Sequence, residues 1–400
     1  MPVVRSVRAD EVDRAGEIGF LAFGGELDGW RKAFHEFIGH FGTDSMLVVE
    51  HEGQLVSTML LVGEDMWLDG VAVPARAVAA VSTIPEARRV GCAGEMMREA
   101  TRRMKAWGIA TSPMWPFSFA YYRKFGWEIG GETRYVIWPR EAAFQIPAEG
   151  EISAVTAKDG PVLASVWDAV SPGIRCATGR RPAHWDRFLR PDGYAGGTPN
   201  KAGLLCRQNG QPAGYALYTV PEPKEGEERK VEMNEIRALN AAAEVALIQA
   251  LAERLPDIPK FSAAFPTNHR LRSVAVNPRD FECQLHASFG FRVIDPAQIF
   301  PTMRTESDAA PVRLRVEDEV LGTKTWEVCF GGGPAEGHET DAAPDATCSI
   351  QTFSQIASGY LTVDGAARAK QLCGDSGAIA RLHGATAAWS LPFRSGMEEG

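Results

Sequence analysis

A short basic turn with two glycines is the part of this sequence best suited to carry chemistry. The turn follows a strand-like run, Val71 to Ile84, which is rich in Val and Ala and stops at Pro85. An amphipathic helical pattern begins at Gly91, so the N–H groups at the start of that helix would face a ligand together with the positive end of the helix dipole. Arg88 and Arg89 would add positive charge. The turn therefore predicts a site for a phosphate or pyrophosphate, although an ordinary turn with solvated arginines has the same pattern.

The same turn has the form Arg-x-x-Gly-x-Ala at residues 88–93. It fits neither the dinucleotide pattern Gly-x-Gly-x-x-Gly nor a P-loop with its Gly-Lys-Ser/Thr, but it resembles the acyl-coenzyme A signature of the GCN5-related N-acetyltransferases (GNAT). Residues 118–127, Ser-Phe-Ala-Tyr-Tyr-Arg-Lys-Phe-Gly-Trp, resemble the second motif of that superfamily, Phe-Tyr-x-Lys-x-Gly-Phe. Ser118 can cap a short helix that ends at Gly126.

The resemblance implies that acetyl-CoA is the co-substrate and that it binds along the end of the strand, the basic turn and the start of the helix. The residues implied to contact it are Val81, Ser82, Thr83, Arg88, Arg89, Val90, Gly91, Cys92, Ala93, Gly94, Phe117 and Ser118. The start of a helix lowers the pKa of a thiol, but Cys92 is interpreted here as a small packing residue lining this turn. No metal is expected, because the seven Cys and eight His show no ligand spacing.

Acetyl transfer to an amine requires removal of a proton from the amine, stabilisation of an oxyanion and protonation of the departing thiolate. Tyr122 matches the proton donor of the superfamily, and a backbone N–H near residues 81–83 would stabilise the oxyanion. In the family described next, the base is the C-terminal carboxylate, which corresponds here to Gly400. This sequence ends in Ser-Gly-Met-Glu-Glu-Gly, without the aromatic residue usual in that family, so Glu398 and Glu399 are alternative bases.

Within the superfamily, the length of the chain and residues 66–74 resemble the enhanced intracellular survival (Eis) acetyltransferases. That resemblance implies an α/β and α+β fold with two fused acetyltransferase units, built on mixed sheets, and a sterol-carrier-like C-terminal domain. The expected limits are 1–146 for the cofactor-binding unit, 147–300 for the second unit and 301–400 for the last domain. The second unit lacks the Arg-x-x-Gly-x-Ala turn and should not bind the cofactor. Residues 287–295 stand where the family has a strand that closes its second unit, and the family implies a homo-oligomer, a trimer or a hexamer.

Aromatic and acidic residues near the end of the first predicted helix suit a cationic amine acceptor, through cation–π contacts and charge pairing. Residues assigned to this acceptor wall are Phe23, Glu26, Trp30 and Phe34, with Trp67, Trp115 and Phe117 as further members and Glu399 as a source of negative charge. For each of these residues taken alone, a core position is the favoured interpretation.

Composition excludes several other classes of protein. The 42 Lys and Arg against 51 Asp and Glu give a net charge of −9, which disfavours nucleic acid or an anionic membrane as the main partner. No run of 18 apolar residues and no apolar leader segment is visible, so we expect a cytoplasmic protein.

Three functions remain compatible with the sequence. The first is acetyl transfer to an aminoglycoside-like or polyamine-like amine, or to lysine. The second is a specialised acyltransferase of secondary metabolism with another donor or acceptor. The third is a lipid-binding protein with a degenerate acetyltransferase fold.

Overall fold

The computed structural model describes residues 2–189, 201–220, 222 and 228–395. These residues form two compact units, which are described separately below. The first unit contains the residues up to Gly131 together with Ser288–Pro392, and the second contains Glu132–Ala287 together with the stretch that begins at Phe393.

Helices are interspersed with runs of consecutive strands along the described chain. The strands are β1 (Val3–Ser6), β2 (Met46–His51), β3 (Gln54–Leu68), β4 (Val71–Thr83), β5 (Thr111–Met114), β6 (Glu128–Ile129), β7 (Glu132–Pro139), β8 (Glu151–Ala154), β9 (Thr178–Gly179), β10 (Lys201–Gln208), β11 (Gln211–Thr219), β12 (Lys230–Ala238), β13 (Lys260–Phe265), β14 (Glu282–Ala287), β15 (Gly290–Val293), β16 (Asp308–Glu317), β17 (Lys324–Gly331), β18 (Glu336–Thr340), β19 (Ala346–Ser349) and β20 (Leu372–Gly374). The helices are α1 (Val12–Phe23), α2 (Leu27–Phe41), α3 (Cys92–Ala106), α4 (Phe119–Tyr122), α5 (Gly160–Val170), α6 (Pro182–Phe188), α7 (Ala241–Arg254), α8 (Ile350–Ser358), α9 (Val363–Arg368) and α10 (Ser376–Thr386).

The main sheet of the first unit has its strands in the order β1-β2-β3-β4-β5-β15-β6. One face packs against α3, whose buried stripe of Met96, Met97, Ala100 and Met104 follows the helical period predicted from the sequence. The other face packs against α1 and α2. The predicted hairpin of β2 and β3 is confirmed.

Strand β4 is bulged near its end and separates from its neighbour β5. Thr58 pairs with Ser82 and Leu60 pairs with Ala79, so Ala80 and Val81 together face one residue of β3. Ala80 has a φ of 50°, a left-handed conformation that is uncommon outside glycine. The parallel pairing of β4 with β5 ends at Val78, and β4 continues to Thr83. Bulges of this kind turn backbone groups out of the ladder and are frequent beside active sites.

Strand β15 corrects one expectation from the sequence. Residues 287–295 were expected to contain a strand closing the second unit, but Gly290–Val293 pair with β5 on one side and β6 on the other, both in the first unit. All four residues are buried there, because they fill the edge that β5 would otherwise leave open. The second sheet takes β7 and β14 instead, and the two strands pair with each other.

The sheet of the second unit has the order β14-β7-β13-β12-β11-β10-β8. One face carries a core around α7, and the other a core around α5 and α6. The third sheet, β18-β17-β16-β19-β20, belongs to the first unit and lies with α8, α9 and α10. In the part of the chain that the structure describes, no helix combines the length and apolar character needed to cross a membrane.

Candidate active site

The basic turn predicted from the sequence leads into α3 and leaves the start of that helix open. Gly91 is the N-cap with a φ of 93°, and a Cβ at this position would meet no atom within 4 Å. The first hydrogen bond of the helix runs from the N–H of Glu95 to the carbonyl of Gly91. Among the described residues, no side chain caps the N–H groups of Cys92, Ala93 and Gly94. These donors, at the positive end of a 15-residue helix, are suited to bind an anion.

Both arginines of the turn are exposed, and neither has an ion pair among the described residues. Arg89 has a φ of 69°, so the backbone between Arg88 and Gly91 turns sharply. The Nε of Arg88 donates to the carbonyl oxygen of Thr83, at 3.4 Å. This contact joins the turn to the end of β4.

The hydroxyl groups of Ser82 and Thr83, at the end of β4, are already hydrogen-bonded within the protein. The hydroxyl of Ser82 is buried and donates to the carbonyl of Ala80, at 3.0 Å. The hydroxyls of Thr83 and Ser57 are 2.8 Å apart. Contacts of Val81, Ser82 and Thr83 with a thioester would therefore involve mainly backbone groups, as an oxyanion donor requires.

Tyr122 lies at the end of α4, beside these elements. The hydroxyl of Ser118 accepts a hydrogen bond from the N–H of Tyr121, at 3.3 Å, which confirms the predicted cap. Tyr122 is only 3% exposed and belongs to one apolar cluster with Val78, Cys92 and Met114. Burial raises the pKa of Tyr122 well above its usual value of 10, so the phenol is protonated at neutral pH.

Two aromatic rings, those of Phe117 and Tyr121, pack against the ring of Tyr122. Phe117 is 77% exposed, stacks on Tyr121 with ring centroids 5.6 Å apart, and meets Tyr122 edge to face at 5.3 Å. Cys92, in contrast, turns its side chain into the core, and burial raises the pKa of its thiol. Only the backbone N–H of Cys92 is therefore suited to bind a ligand, in agreement with its interpretation as a packing residue.

The predicted acceptor wall divides into an exposed part and a buried part. Phe23 is 59% exposed and stacks on Trp30 with ring centroids 5.5 Å apart. Glu26 is exposed and is the N-cap of α2. Phe34 is 2% exposed and meets Trp30 edge to face, so it supports that ring from the core instead of facing solvent. Trp67 and Trp115 are half-buried.

The predicted base, Gly400, and its alternatives Glu398 and Glu399 lie outside the described residues. The chain before them is well fixed in the second unit. Phe393 donates from its N–H to the carbonyl of Arg175, at 3.0 Å, and Phe393, Arg394 and Ser395 are all buried.

The second unit also has a bulged strand followed by a helix, but it lacks the basic turn that joins these elements in the first unit. Strand β12 also carries a bulge, where Leu217 pairs with Glu235 and Tyr218 with Met233. Only two residues separate β12 from α7, and the second of them, Asn240, caps the helix by accepting from the N–H of Ala243 at 3.0 Å. The side chain thus occupies one of the N–H groups that a phosphate would need.

Sequence reasoning missed a buried charged cluster in the second unit. Nη1 and Nη2 of Arg180 donate to the two carboxylate oxygens of Glu235, each at 2.7 Å, and the hydroxyl of Tyr215 donates to the same carboxylate at 2.6 Å. The guanidinium of Arg180 lies 3.7 Å from the ring centroid of Trp167. The alternation of charged and apolar residues on β12 was the one available signal, and it does not reveal which charges pair.

Comparison with known proteins identifies the three parts of the chain. Residues 3–130 and residues 176–293 each match a family model described as an acetyltransferase (GNAT) domain, and residues 297–392 match a sterol carrier protein domain. The protein is an N-acetyltransferase. The predicted fold, two acetyltransferase-fold units and a sterol-carrier-like domain, is confirmed, and for this acetyltransferase the fold implies acetyl-CoA as co-substrate.

Several solved structures share this fold along the whole chain. A GCN5-related N-acetyltransferase from Anabaena variabilis has a TM-score of 0.86 at 16% identity, with 98% of this chain and 99% of that chain covered. A probable N-acyltransferase from Enterococcus faecalis has 0.86 at 19%, with 99% of both chains covered. Eis1 from Mycobacterium abscessus has 0.78 at 17%, with 98% and 99% covered. Among curated proteins, none matches the acetyltransferase.

Proposed function

We propose that this acetyltransferase is an Eis-like enzyme that moves the acetyl group of acetyl-CoA directly to a primary amine of a small cationic molecule. The acceptor classes that fit are an aminoglycoside-like molecule, a polyamine-like molecule or a lysine side chain. One observation carries the proposal. The open start of α3, the bulged end of β4 and Tyr122 contribute residues to one apolar cluster in the first unit, which brings the three elements together.

Binding of the co-substrate follows from the chemistry of that region. The diphosphate of acetyl-CoA would accept hydrogen bonds from the N–H groups of residues 92–94 and would pair with Arg88 and Arg89. Val90 and Gly91 lie between the two arginines and these N–H groups, and a Cβ at Gly91 would meet no atom within 4 Å. The thioester would then lie along the end of β4, with Phe117 and Ser118 on the side of α4.

The chemical step needs three groups of this chain. The amine nitrogen attacks the thioester carbon, and an N–H at the bulge of β4 stabilises the oxyanion. When the carbon–sulfur bond breaks, the phenol of Tyr122 gives its proton to the thiolate. The proton lost by the amine goes to a carboxylate, which we propose is the C-terminus of Gly400, directly or through water.

The acceptor side rests on charge and aromatic surface. The stacked rings of Phe23 and Trp30 offer a face for a cation, with the carboxylate of Glu26 close in the sequence and exposed. Phe34 supports Trp30 from below, and Glu399 would add negative charge. We also propose a homo-oligomer as the assembled form. The sequence limits 1–146, 147–300 and 301–400 stay predictions for the three domains, and the compact units of the structure divide the chain after Gly131 and after Ala287 instead.

Mass spectrometry of an amine panel tests the proposal. The full-length protein is incubated with acetyl-CoA and spermidine, an aminoglycoside or a lysine peptide, and the products are searched for one added acetyl group. The Gly91→Glu variant is the control and should give less product than the wild type at the same low acetyl-CoA concentration. Binding of acetyl-CoA without acetylation of any amine would instead favour another acceptor class, as in secondary metabolism.

A further inference from the structure

A buried arginine links the loop after Tyr122 to the C-terminal domain. Arg292, on β15, has no exposed surface, and its Nη1 donates to the carbonyl oxygen of Phe125 at 2.5 Å. Its Nη2 donates to Oδ2 of Asp318 at 2.7 Å. Asp318 directly follows β16, in the domain that matches a sterol carrier protein. One guanidinium therefore spans two domains within the first unit.

The carbonyl oxygen that Arg292 binds belongs to Phe125, which is the last residue of the turn that follows Tyr122. A 3-10 helix, Arg123–Phe125, continues directly from α4, and Gly126 terminates it with a φ of 92°. A Cβ at Gly126 would lie 1.4 Å from Nη1 of Arg292, so the guanidinium fills the space that a side chain would need. The position of Arg292 thus sets where this turn ends.

The other partner of the guanidinium is held firmly. Oδ1 of Asp318 accepts hydrogen bonds from the N–H groups of Val320 and Leu321, at 2.9 and 3.1 Å. A buried charge is costly unless it is paired and hydrogen-bonded. Burial lowers the pKa of the Arg292 guanidinium, and the negative charge of Asp318 opposes that effect.

A direct contact from the C-terminal domain also reaches this turn. The side-chain Nε2 of Gln351, on α8, donates to the carbonyl of Arg123 at 2.8 Å. The carbonyl oxygens of Arg123 and Phe125, which follow Tyr122 in the chain, are therefore both bound by side chains from outside the N-terminal acetyltransferase domain.

We propose that Arg292 and Asp318 are positioning residues for Tyr122, through which the sterol-carrier-like domain holds the proton donor at the correct place for transfer. The inference rests on the proposed role of Tyr122 as the acid. Misplacement of a catalytic group by about 1 Å can cost about a hundredfold in rate. The sterol-carrier-like domain, which would have no catalytic group of its own, would then affect kcat through the carboxylate of Asp318 and the guanidinium of Arg292.

The test uses Arg292→Lys, which keeps the positive charge but cannot bind both oxygen atoms with a planar fork. We expect kcat to fall about ten- to a hundredfold, while KM for acetyl-CoA and for the amine stays nearly unchanged. Asp318→Asn should behave similarly. Arg313→Lys is the matched control, because Arg313 pairs with Asp345 at 2.7 Å in the same domain without touching the turn, and it should keep the wild-type kcat.

A double-mutant cycle separates positioning from a general structural role. Once Tyr122→Phe has removed the acid, Arg292→Lys should cause little further loss of kcat. The inference would be overturned if Arg292→Lys lowered kcat by the same factor in the Tyr122→Phe background as in the wild type. It would also be overturned if a rise in KM explained the fall in kcat/KM. If Arg292→Lys does not fold, the same cycle is carried out with Gln351→Ala, which removes an exposed contact to the turn. Gln351→Ala must then lower kcat by less than the roughly ten- to hundredfold expected for Arg292→Lys, and this loss must disappear in the Tyr122→Phe background. Wild-type turnover in Tyr122→Phe alone would instead refute the proposed function.

Discussion

Ser395 donates a hydrogen bond from its hydroxyl to Oε2 of Glu235, at 2.7 Å, and both side chains are buried in the second unit. Glu235 accepts three further hydrogen bonds, two from Arg180 and one from Tyr215. The last residue that the structure describes is therefore tied to a buried carboxylate. Ser395, five positions before Gly400 in the sequence, is thus held by a side-chain hydrogen bond.

The carboxylate of Glu235 should make the second unit sensitive to acid. Burial alone would raise its pKa, but Arg180 and Arg237 and the hydrogen bonds from Arg180 and Tyr215 lower the pKa to about 2, from 4.5. Its contribution to the free energy of unfolding is therefore present above pH 4.5 and is lost as the pH falls toward 2.

Thermal unfolding followed between about pH 7 and pH 2 checks this prediction. Glu235→Gln should cost about 3–5 kcal/mol at neutral pH, because it leaves Arg180 buried without its charge partner, and should weaken the acid dependence. Glu232→Gln, at an exposed position on the same strand, should follow the wild type. An unchanged acid transition in Glu235→Gln would show that other groups control it.

Acetyl-CoA should bind once per chain, to the first unit. The start of α3 is open, whereas Asn240 caps α7 in the second unit. Gly91→Glu places a negative charge and a strained side chain at the anion site, and we expect affinity to fall at least about tenfold, which corresponds to about 1.4 kcal/mol. Calorimetric titration measures both quantities. Gly53→Glu, at another glycine with positive φ and open surroundings, should bind normally, and two equivalent sites would contradict the prediction.

Tyr122→Phe should lower kcat by about a hundred- to ten-thousandfold and leave the affinity for acetyl-CoA nearly intact, because a general acid acts only as the thiolate leaves. Tyr121→Phe is the control and should retain activity. Since burial raises the pKa of Tyr122 above 10, its deprotonation should not lower kcat at any pH below about 10. Steady-state rates of the three proteins across this range are the measurement, and wild-type turnover in Tyr122→Phe would make it a packing residue.

Deletion of residues 397–400, or extension of the chain by a C-terminal tag, should abolish transfer without unfolding the protein. The reason is that the proposed base is the terminal carboxylate, while the tie between Ser395 and Glu235 remains in the truncated chain. Stopped-time acetylation assays together with thermal unfolding compare these variants with the wild type. Full activity after truncation would place the base elsewhere, with Glu26 as the first alternative.

Local features of this enzyme followed from the sequence because they depend on short-range rules. The turn at residues 88–91, the start of α3 and the cap at Ser118 are each fixed by neighbouring residues, through glycine conformation, helix period and side-chain capping. The roles assigned to the site residues stay predictions.

Long-range pairing could not be read in the same way. Nothing in the period of Gly290–Val293 distinguishes pairing with β5 from pairing with a strand of the second unit. The charge partners of Glu235 and Arg292 likewise come from distant parts of the chain. The bulge at Ala80 arises from the register of two strands and has no glycine to mark it.

The placement of β15 has a consequence for how the protein is made. On the ribosome, β5 emerges long before β15, because the whole stretch from Glu132 to Ala287 is synthesised between them. Until Gly290–Val293 leave the exit tunnel, the sheet that contains β4 has an open edge at β5, which is a template for wrong pairing. We therefore expect protease to digest the first unit readily in ribosome-bound chains that end near residue 146. Ribosome-bound chains long enough for the C-terminal domain to leave the exit tunnel should resist digestion. Resistance in the short chains would show that the N-terminal sheet closes without its last strand.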